Sequence, residues 1–485
     1  CGLIVAAVLA WIRVKYRFKG AKILYITAWA LMIIPSFILA QGWVYFASGD
    51  GVAKAWLGLD WMSNFVFSYP GLVTVMTLCK WPMAYITIKT ALEWEPIRLM
   101  HAARMSGASS FQVWRDVQLP LTLPALCSAA MLIFMDTVGD YGLSSTITAV
   151  YSYPTLPYTI YSAICTSPAR FDMAGVLSLC LMILIVLAMI IQYKALGAKR
   201  FDFLDNGTQQ TTLQSLGRGK GLCLSIGCLI YVMISIGIPM VSSLIMSFSS
   251  AISLTKFTFT LDNYRNILSA DSTLLVGIAH SLGLAVIAAG IGLLIAFCCA
   301  YVLTYAKTPL KKAIDMTTLV AMAVPGIVLG VGYIFVWNQK WLVPIGLHLY
   351  GTPAILVLAV VAAAIPLINR ILVAGMAKIP ESLLVAAEMQ GAGFFTKIKT
   401  ILLPLLHNSS VSAVLSAFGG SIFNLAITTI LYPPNWETLP VWISDSYNDL
   451  KFGDAAAATI VSGICIITIM VLLERLLNMK RARKG

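Results

Sequence analysis

The sequence predicts an all-α polytopic membrane protein built from two homologous six-helix halves, the first lacking its N-terminal span. Three observations carry that expectation. Hydrophobic residues make up 59% of the 485 residues and charged residues only 11%, against about 25% charged in an ordinary soluble domain, and mean hydropathy is +0.87. Apolar runs recur at the length that crosses about 30 Å of hydrocarbon, which takes about 20 helical residues. Two polar stretches between such runs, 95–121 and 379–405, repeat one another at an offset of 284 residues.

The apolar segments fall at 1–12, 22–47, 62–92, 118–142, 172–193, 221–249, 273–305, 313–337, 351–376, 403–430 and 453–478. Lys and Arg concentrate in alternate connections. One cluster is Arg13 to Lys22, another Lys194 to Arg200 with Arg218 and Lys220, and a third Lys307 to Lys312. The last is the tail from Arg475 to Lys484. The loops at 48–61, 143–171, 338–350 and 431–450 are poor in both residues. Positive loops stay inside, so the basic loops, both repeated stretches and the C-terminus are expected in the cytoplasm. The net charge of +13 therefore sets orientation and implies no nucleic acid. Trp43, Trp56, Trp61, Trp337 and Trp341 flank outer span ends, as an interfacial aromatic belt does. The ten cysteines show no CxxC or Cys/His spacing and read as small apolar side chains.

The repeat sets the domains. Residues 1–200 form a first half, 201–219 a polar cytoplasmic linker rich in Gly, Thr and Gln, and 220–485 a second half. A further match, Met32–Gly42 against Met322–Gly332, aligns segment 1–12 with the end of span 273–305. The chain opens on Cys1 inside an apolar run, so the partner of span 221–249 is expected upstream, in a native protein of twelve spans. Parallel repeats of this kind place a pseudo-twofold axis along the membrane normal. Asn206-Gly207-Thr208 and Asn408-Ser409-Ser410 are formal glycosylation sequons, but both fall on the cytoplasmic side.

From Pro82/Pro366 to Leu121/Leu405 the two copies align without a gap, with 12 of 40 positions identical. In the second copy Pro380 suits the first turn of a helix, and Glu381 complements its positive end. The run 382–390 is made mostly of good helix formers, and Gly391 is placed to end the helix in a left-handed conformation. The first copy has the same frame, from Pro96 to Gly107. Each copy therefore reads as a helix of about ten residues, about 15 Å long, lying outside the membrane. Its paired alanines, Ala102-Ala103 and Ala386-Ala387, allow close approach of another protein.

This frame resembles the loop that permease subunits of bacterial ABC importers insert into their ATPase subunits. That pattern reads Glu-Ala-Ala, three residues, Gly, then a spacer ending in Leu-Pro. Here it stands as His101-Ala102-Ala103…Gly107…Leu119-Pro120 and Val385-Ala386-Ala387…Gly391…Leu403-Pro404. Both copies depart from it at the first position, where His101 and Val385 replace the glutamate that helps fix the loop in the ATPase groove. Asp136–Gly142, Val324–Gly332 and Thr428–Val441 add a resemblance to fused permeases of the ferric-iron importer group, related to thiamine, polyamine and phosphonate permeases. The resemblance covers nearly the whole chain. It implies the type I ABC importer permease fold in the bacterial inner membrane. It also implies two copies of an ABC ATPase that use ATP and Mg, and a periplasmic or lipid-anchored solute-binding protein. No cofactor bound by this chain is implied. Ferric iron is the first expected cargo, with phosphonate, sugar-phosphate, thiamine and polyamine as alternatives.

Charged groups at depth are costly, about 2.5–3.5 kcal/mol each on insertion scales. Asp136 and Asp140 lie at i and i+4 on one helical face, near an outer span end. They suit a hard cation on the translocation path, and equally an interfacial cap or a pairing with a basic neighbour. Lys80 sits beside Trp81-Pro82, where the proline invites a kink. It could meet an anion on the path or pair with Asp136 or Asp140. His280 and Glu437 read as interfacial. No phosphate-cradling loop is present: Gly217-Arg218-Gly219-Lys220 lacks the spacing, so ATP hydrolysis is expected from a separate subunit. Two other classes stay open, a secondary transporter with coupling carboxylates at midplane and a channel or membrane scaffold.

Overall fold

The structure, a computed structural model, describes residues 1–93, 97–151, 154–196, 214–269 and 271–482. Every apolar segment expected from the sequence is helical. Hydrocarbon offers no partner to a free N–H or C=O, so a spanning chain must close its hydrogen bonds within itself. Among the described residues, seven helices are each long and apolar enough to cross a membrane: Tyr69–Glu93, Ser110–Val138, Phe171–Gln192, Gly219–Ser247, Leu274–Tyr305, Pro353–Met376 and Phe452–Leu477. Three further crossings are possible if bent pairs count as single spans.

The bends fall in the segments expected at 22–47, 313–337 and 403–430. Ala21–Ile33 and Ser36–Ala47 meet at 106°, Leu310–Ala323 and Gly326–Trp337 at 112°, and Phe394–Leu405 and His407–Ile422 at 75°. The first two have a clear cause. A proline disfavours the helical conformation of the residue before it, and Ile34 (ψ 125°) and Val324 (ψ 119°) are both extended ahead of Pro35 and Pro325. Pro82 and its repeat partner Pro366 lie inside the helices Tyr69–Glu93 and Pro353–Met376, and both are buried.

The chain divides into two compact units. One comprises residues 1–245 with 253–257, the other 246–252 with 258–485. In the first unit, Gly2–Lys15, Ala21–Ile33 and Leu119–Val138 pack around Tyr69–Glu93, and Ser36–Ala47 lies against Tyr141–Tyr151. The span Gly219–Ser247 packs here too. Trp81, fully buried, donates its Nε1–H to Ser235 Oγ at 3.1 Å, and Ser235 Oγ donates to the Leu78 carbonyl at 2.7 Å. The repeat boundary near residue 220 and the packing boundary near 245 are therefore different divisions of the chain. Most of the expected linker lies outside the described residues; Gln214–Ser215 pairs in parallel with Tyr16–Arg17.

In the second unit, Leu274–Tyr305 packs along Pro353–Met376 and His407–Ile422, with Gly326–Trp337 against Leu425–Leu431. The repeat continues on the far side. Tyr141–Tyr151 and Leu156–Cys165 of the first unit correspond to Leu425–Leu431 and Leu439–Asn448 of the second. Trp56, Trp61 and Trp341 are exposed as a belt requires, but Trp43 is only 5% exposed and packs edge-on to Phe46.

The Trp81–Ser235–Leu78 chain anchors Gly219–Ser247 through buried polar groups. Ser235→Ala leaves the indole N–H without its acceptor, and interhelical hydrogen bonds of this kind contribute about 0.6–1.7 kcal/mol in membranes. Thermal unfolding in detergent is expected to show a lower midpoint for Ser235→Ala and none of that loss for Ser235→Thr, which keeps the hydroxyl.

Candidate functional site

The repeated loop is built alike in both units. Ile97–Met105 and Glu381–Met389 are nine-residue helices at the same 284-residue offset. Gly107 has φ +85° and Gly391 φ +80°, the left-handed conformation expected of the residue just past a helix end. Two backbone bonds close each end. Ala108 N–H donates to the Ala103 carbonyl (3.1 Å) and Gly107 N–H to Arg104 (3.0 Å); Ala392 donates to Ala387 (3.0 Å) and Gly391 to Glu388 (2.9 Å). This pair of bonds satisfies carbonyls that a helix end would otherwise leave open. The second alanine of each pair, Ala103 and Ala387, is thus the acceptor that closes the cap. Pro380 stands at the N-cap, one position before the first turn, and Glu381 opens the helix. Pro96 lies outside the described residues.

The helices present matching side chains. Ala102, Ala386, His101 and Val385 are exposed, and Ala103 and Ala387 half-buried. Three exposed apolar pairs recur at equivalent places: Leu99 and Leu383, Met105 and Met389 (90% and 86% exposed), and Phe111 and Phe395. The sequence reading passed over these six, although all belong to the identical positions of the repeat. Leu384, 5% exposed, holds the second helix down, and Lys397 Nζ bridges back to Glu388 Oε2 at 2.9 Å. Beyond each helix the chain forms a five-residue π-helix, Trp114–Gln118 and Ile398–Leu402, again 284 residues apart. Such wide turns occur at functional sites more than elsewhere, and no sequence signal marked them.

The three charged groups expected on the path come together in the first unit. Lys80 Nζ lies 3.0 Å from Asp136 Oδ2 and 2.5 Å from Asp140 Oδ2. Asp140 also works as a cap: its Oδ1 accepts from Ser36 Oγ (3.0 Å) and from the Leu143 N–H (2.9 Å). One lysine with two carboxylates leaves a net charge of −1, with Asp136 the more exposed acid, 37% against 4% for Asp140. The second unit keeps the cap and drops the charges. Asn424, equivalent to Asp140, accepts from the Ile427 N–H at 3.1 Å, while Ala364 and Gly420 replace Lys80 and Asp136. A different pair, unmarked in the sequence reading, stabilises that unit: Arg370 Nη1 meets Asp315 Oδ1 at 2.9 Å, and its Nη2 donates to Thr318 Oγ1 at 3.3 Å.

On the second unit, a cleft of about 500 Å³ is lined by Asp271, Glu437, Asp445, Asp449, Lys451 and Asp454 among others. Burial, reinforced by Glu437 and then Asp449, pushes the Asp445 carboxyl up to about 6. Among the described residues no group of His, Cys, Asp and Glu is arranged to hold a metal ion.

A helical polytopic membrane protein that repeats one extramembrane helix, with the same cap and the same exposed side chains, is a fused two-copy permease. The chain belongs to the family of binding-protein-dependent transport system inner membrane components, whose pattern matches residues 2–201 and again 288–483. It is 22% identical to the ferric transport system permease protein FbpB of Actinobacillus pleuropneumoniae over 448 residues, 91% of this chain and 63% of that protein. It is 24% identical to the putative ferric transport system permease protein FbpB 1 of Haemophilus influenzae over 401 residues, 80% of this chain and 61% of that one. The molybdenum transport system permease protein ModB of Escherichia coli is 31% identical over 189 residues, 37% of this chain and 78% of its own. The chain thus spans a little under two thirds of the length of the two ferric relatives.

Two predictions follow from the charged sites. Lys80→Ala strands two carboxylates, and removing one partner of a buried ion pair costs about 3–5 kcal/mol, an upper bound here because Asp136 is partly exposed. A sharp loss of folded protein in detergent is expected. Lys80→Ala with Asp136→Gly and Asp140→Asn copies the second unit's residues and should restore it. For Asp445, the folded state binds its proton more readily than the unfolded chain, whose value is near 4. Its ionisation therefore penalises folding above about pH 6, and the penalty fades as pH falls toward 4. Asp445→Asn is expected to raise the melting midpoint at pH 7.5, with the gain over the unsubstituted protein vanishing near pH 4.

Proposed function

We propose that this chain is the membrane subunit of an ATP-driven, binding-protein-dependent importer, and that ferric iron is its cargo. The duplicated docking helix carries this reading. Two copies of one surface, with Leu99/Leu383, Met105/Met389 and Phe111/Phe395 exposed at matched positions, fit two copies of one partner, an ABC ATPase. The ATPases use ATP and Mg; this chain contributes docking and the path, and binds no cofactor of its own. Closing the ATPase pair rocks the repeated halves and exposes the path alternately to either side. A periplasmic or lipid-anchored binding protein delivers cargo from outside. The basic loops and the C-terminus face the cytoplasm of the bacterium by the positive-inside rule.

The cargo proposal rests on the names of the ferric relatives and on charge. Lys80 is neutralised by two carboxylates, so it is poorly placed to recruit an anion. The triad keeps a net negative charge, and its half-exposed member, Asp136, is the group left to meet a passing cation.

The test is reconstitution of the chain with its ATPase and binding protein in liposomes, followed by uptake of radiolabelled ferric iron. ATP-dependent uptake that needs all three components is the expected result, and molybdate and spermidine uptake serve as controls. Met105→Asp with Met389→Asp places a carboxylate in each apolar contact, where desolvating an unpaired charge costs several kcal/mol. Copurification of the ATPase should then be lost, and either single variant should retain about one ATPase in place of two. A secondary transporter would transport normally with both substitutions.

A further inference from the structure

The helix Leu274–Tyr305 has 32 residues, about 48 Å at 1.5 Å per residue. That exceeds the hydrocarbon thickness of about 30 Å, so the helix is longer than a single crossing requires. One end holds the turn into the helix Glu381–Met389, and the other holds segment 436–442.

At the C-terminal end, Tyr305 Oη donates to the carbonyls of Met376 (2.9 Å) and Ile379 (3.2 Å). Those carbonyls belong to the turn that leads from Pro353–Met376 into the docking helix Glu381–Met389. One turn earlier the Tyr301 ring meets Phe394 edge-on, with centroids 5.4 Å apart, just after the docking helix. The two tyrosines therefore bracket the docking helix on its entering and leaving sides. At the N-terminal end, Ser281 Oγ accepts from the Leu439 N–H at 2.9 Å, and Thr273 Oγ1 accepts from Trp442 Nε1 at 3.0 Å. His280 stacks on Trp436 at 4.1 Å and places Nδ1 2.9 Å from the Glu437 carbonyl. Segment 436–442, at the rim of the acidic cleft, is pinned to the helix at four residues.

Between the ends the helix fits closely against its neighbour. Ser281, Ala285, Ala288, Gly292, Ala296 and Ala300 are buried at spacings of three and four, and a Cβ at Gly292 would lie 2.8 Å from Ile368 Cδ1. Small residues at this spacing bring helix backbones close together, and a close-packed interface transmits displacement with little compression.

We propose that Leu274–Tyr305 is the rigid link of the second unit, carrying the position of the docking helix to the outer segment 436–442. Tyr305 and Ser281 are the positioning residues at its two ends. The proposal rests on the reading that Glu381–Met389 receives an ATPase. The first unit has no such latch among its described residues, because Lys15 stands where the repeat would place Tyr305 and lies over the Trp11 ring at 4.3 Å.

The test uses the full chain with its ATPase and binding protein in liposomes. ATPase copurification is scored first on the unsubstituted chain, and absence of binding there overturns the docking reading itself. Given binding, Tyr305→Phe, which keeps the ring and loses both hydrogen bonds, is expected to leave basal ATP hydrolysis unchanged. Stimulation by the cargo-loaded binding protein should fall about fivefold or more, the lower end of ordinary coupling between sites, and ATP consumed per ion imported should rise. Ser281→Ala, about 36 Å away along the helix, should give the same pattern. The double variant should be no worse than the worse single one, as expected of two groups acting in series. A purely structural role would lower the amount of complex and leave stimulation and stoichiometry alone. Unchanged stimulation in both single variants, or independent additive losses, overturns the proposal. Should Tyr305→Phe fail to assemble, Tyr301→Leu probes the same end with the same readouts.

Discussion

The structure depends on the absence of hydrogen-bonding partners in hydrocarbon. Every span must satisfy its own backbone, which makes it helical, and every interruption of a span must be repaired locally. Pro35 and Pro325 interrupt two spans at equivalent points and start new helices there. In each unit the new helix begins beside another fresh N-terminus, that of Tyr141–Tyr151 or Leu425–Leu431. One polar side chain then serves the junction, Asp140 in the first unit and Asn424 in the second. The fit is equally tight in both. A Cβ on Gly142 would lie 3.1 Å from Phe37 Cβ, and one on Gly326 would lie 3.1 Å from Ala426 Cβ. The small residue sits on opposite partners, so the two units solve one steric problem in complementary ways.

Charge divides the units where backbone geometry unites them. Asp140 and Asn424 offer the same oxygen to the same backbone donor, but a carboxylate brings a charge that must be balanced at depth. Lys80 balances it, with Asp136 as a second acid, and none of the three recurs in the second unit. There Arg370 and Asp315 form an unrelated pair. The repeated helices and their caps thus match between the units, while the internal charges differ.

Legibility followed distance along the chain. The repeated loop helices could be read because their determinants lie within a few residues: Gly107 and Gly391 supply the left-handed turn, Ala103 and Ala387 close it, and the duplication itself marks the segment. The exposed Leu99, Met105 and Phe111 with their partners were present among the identical residues. They were missed because an apolar side chain in sequence carries no sign of whether it is buried. The belt assignment failed at Trp43 for the same reason. The prolines divide in another way: Pro82 and Pro366 lie within continuous helices, whereas Pro35 and Pro325 each stand where one helix ends and the next begins.

By itself the sequence determined the class of protein, since hydropathy and charge alternation respond to the bilayer one segment at a time. It also determined the repeat and the repeated loop helix with its cap, which are local in register. Only the tertiary structure decided the rest. It brought Lys80 to Asp136 and Asp140, grouped Gly219–Ser247 with the first unit, and laid one long helix between the turn at 376–379 and segment 436–442. Those outcomes depend on which helix faces join, through contacts between residues that lie from dozens to more than a hundred positions apart, and no local pattern encodes that choice.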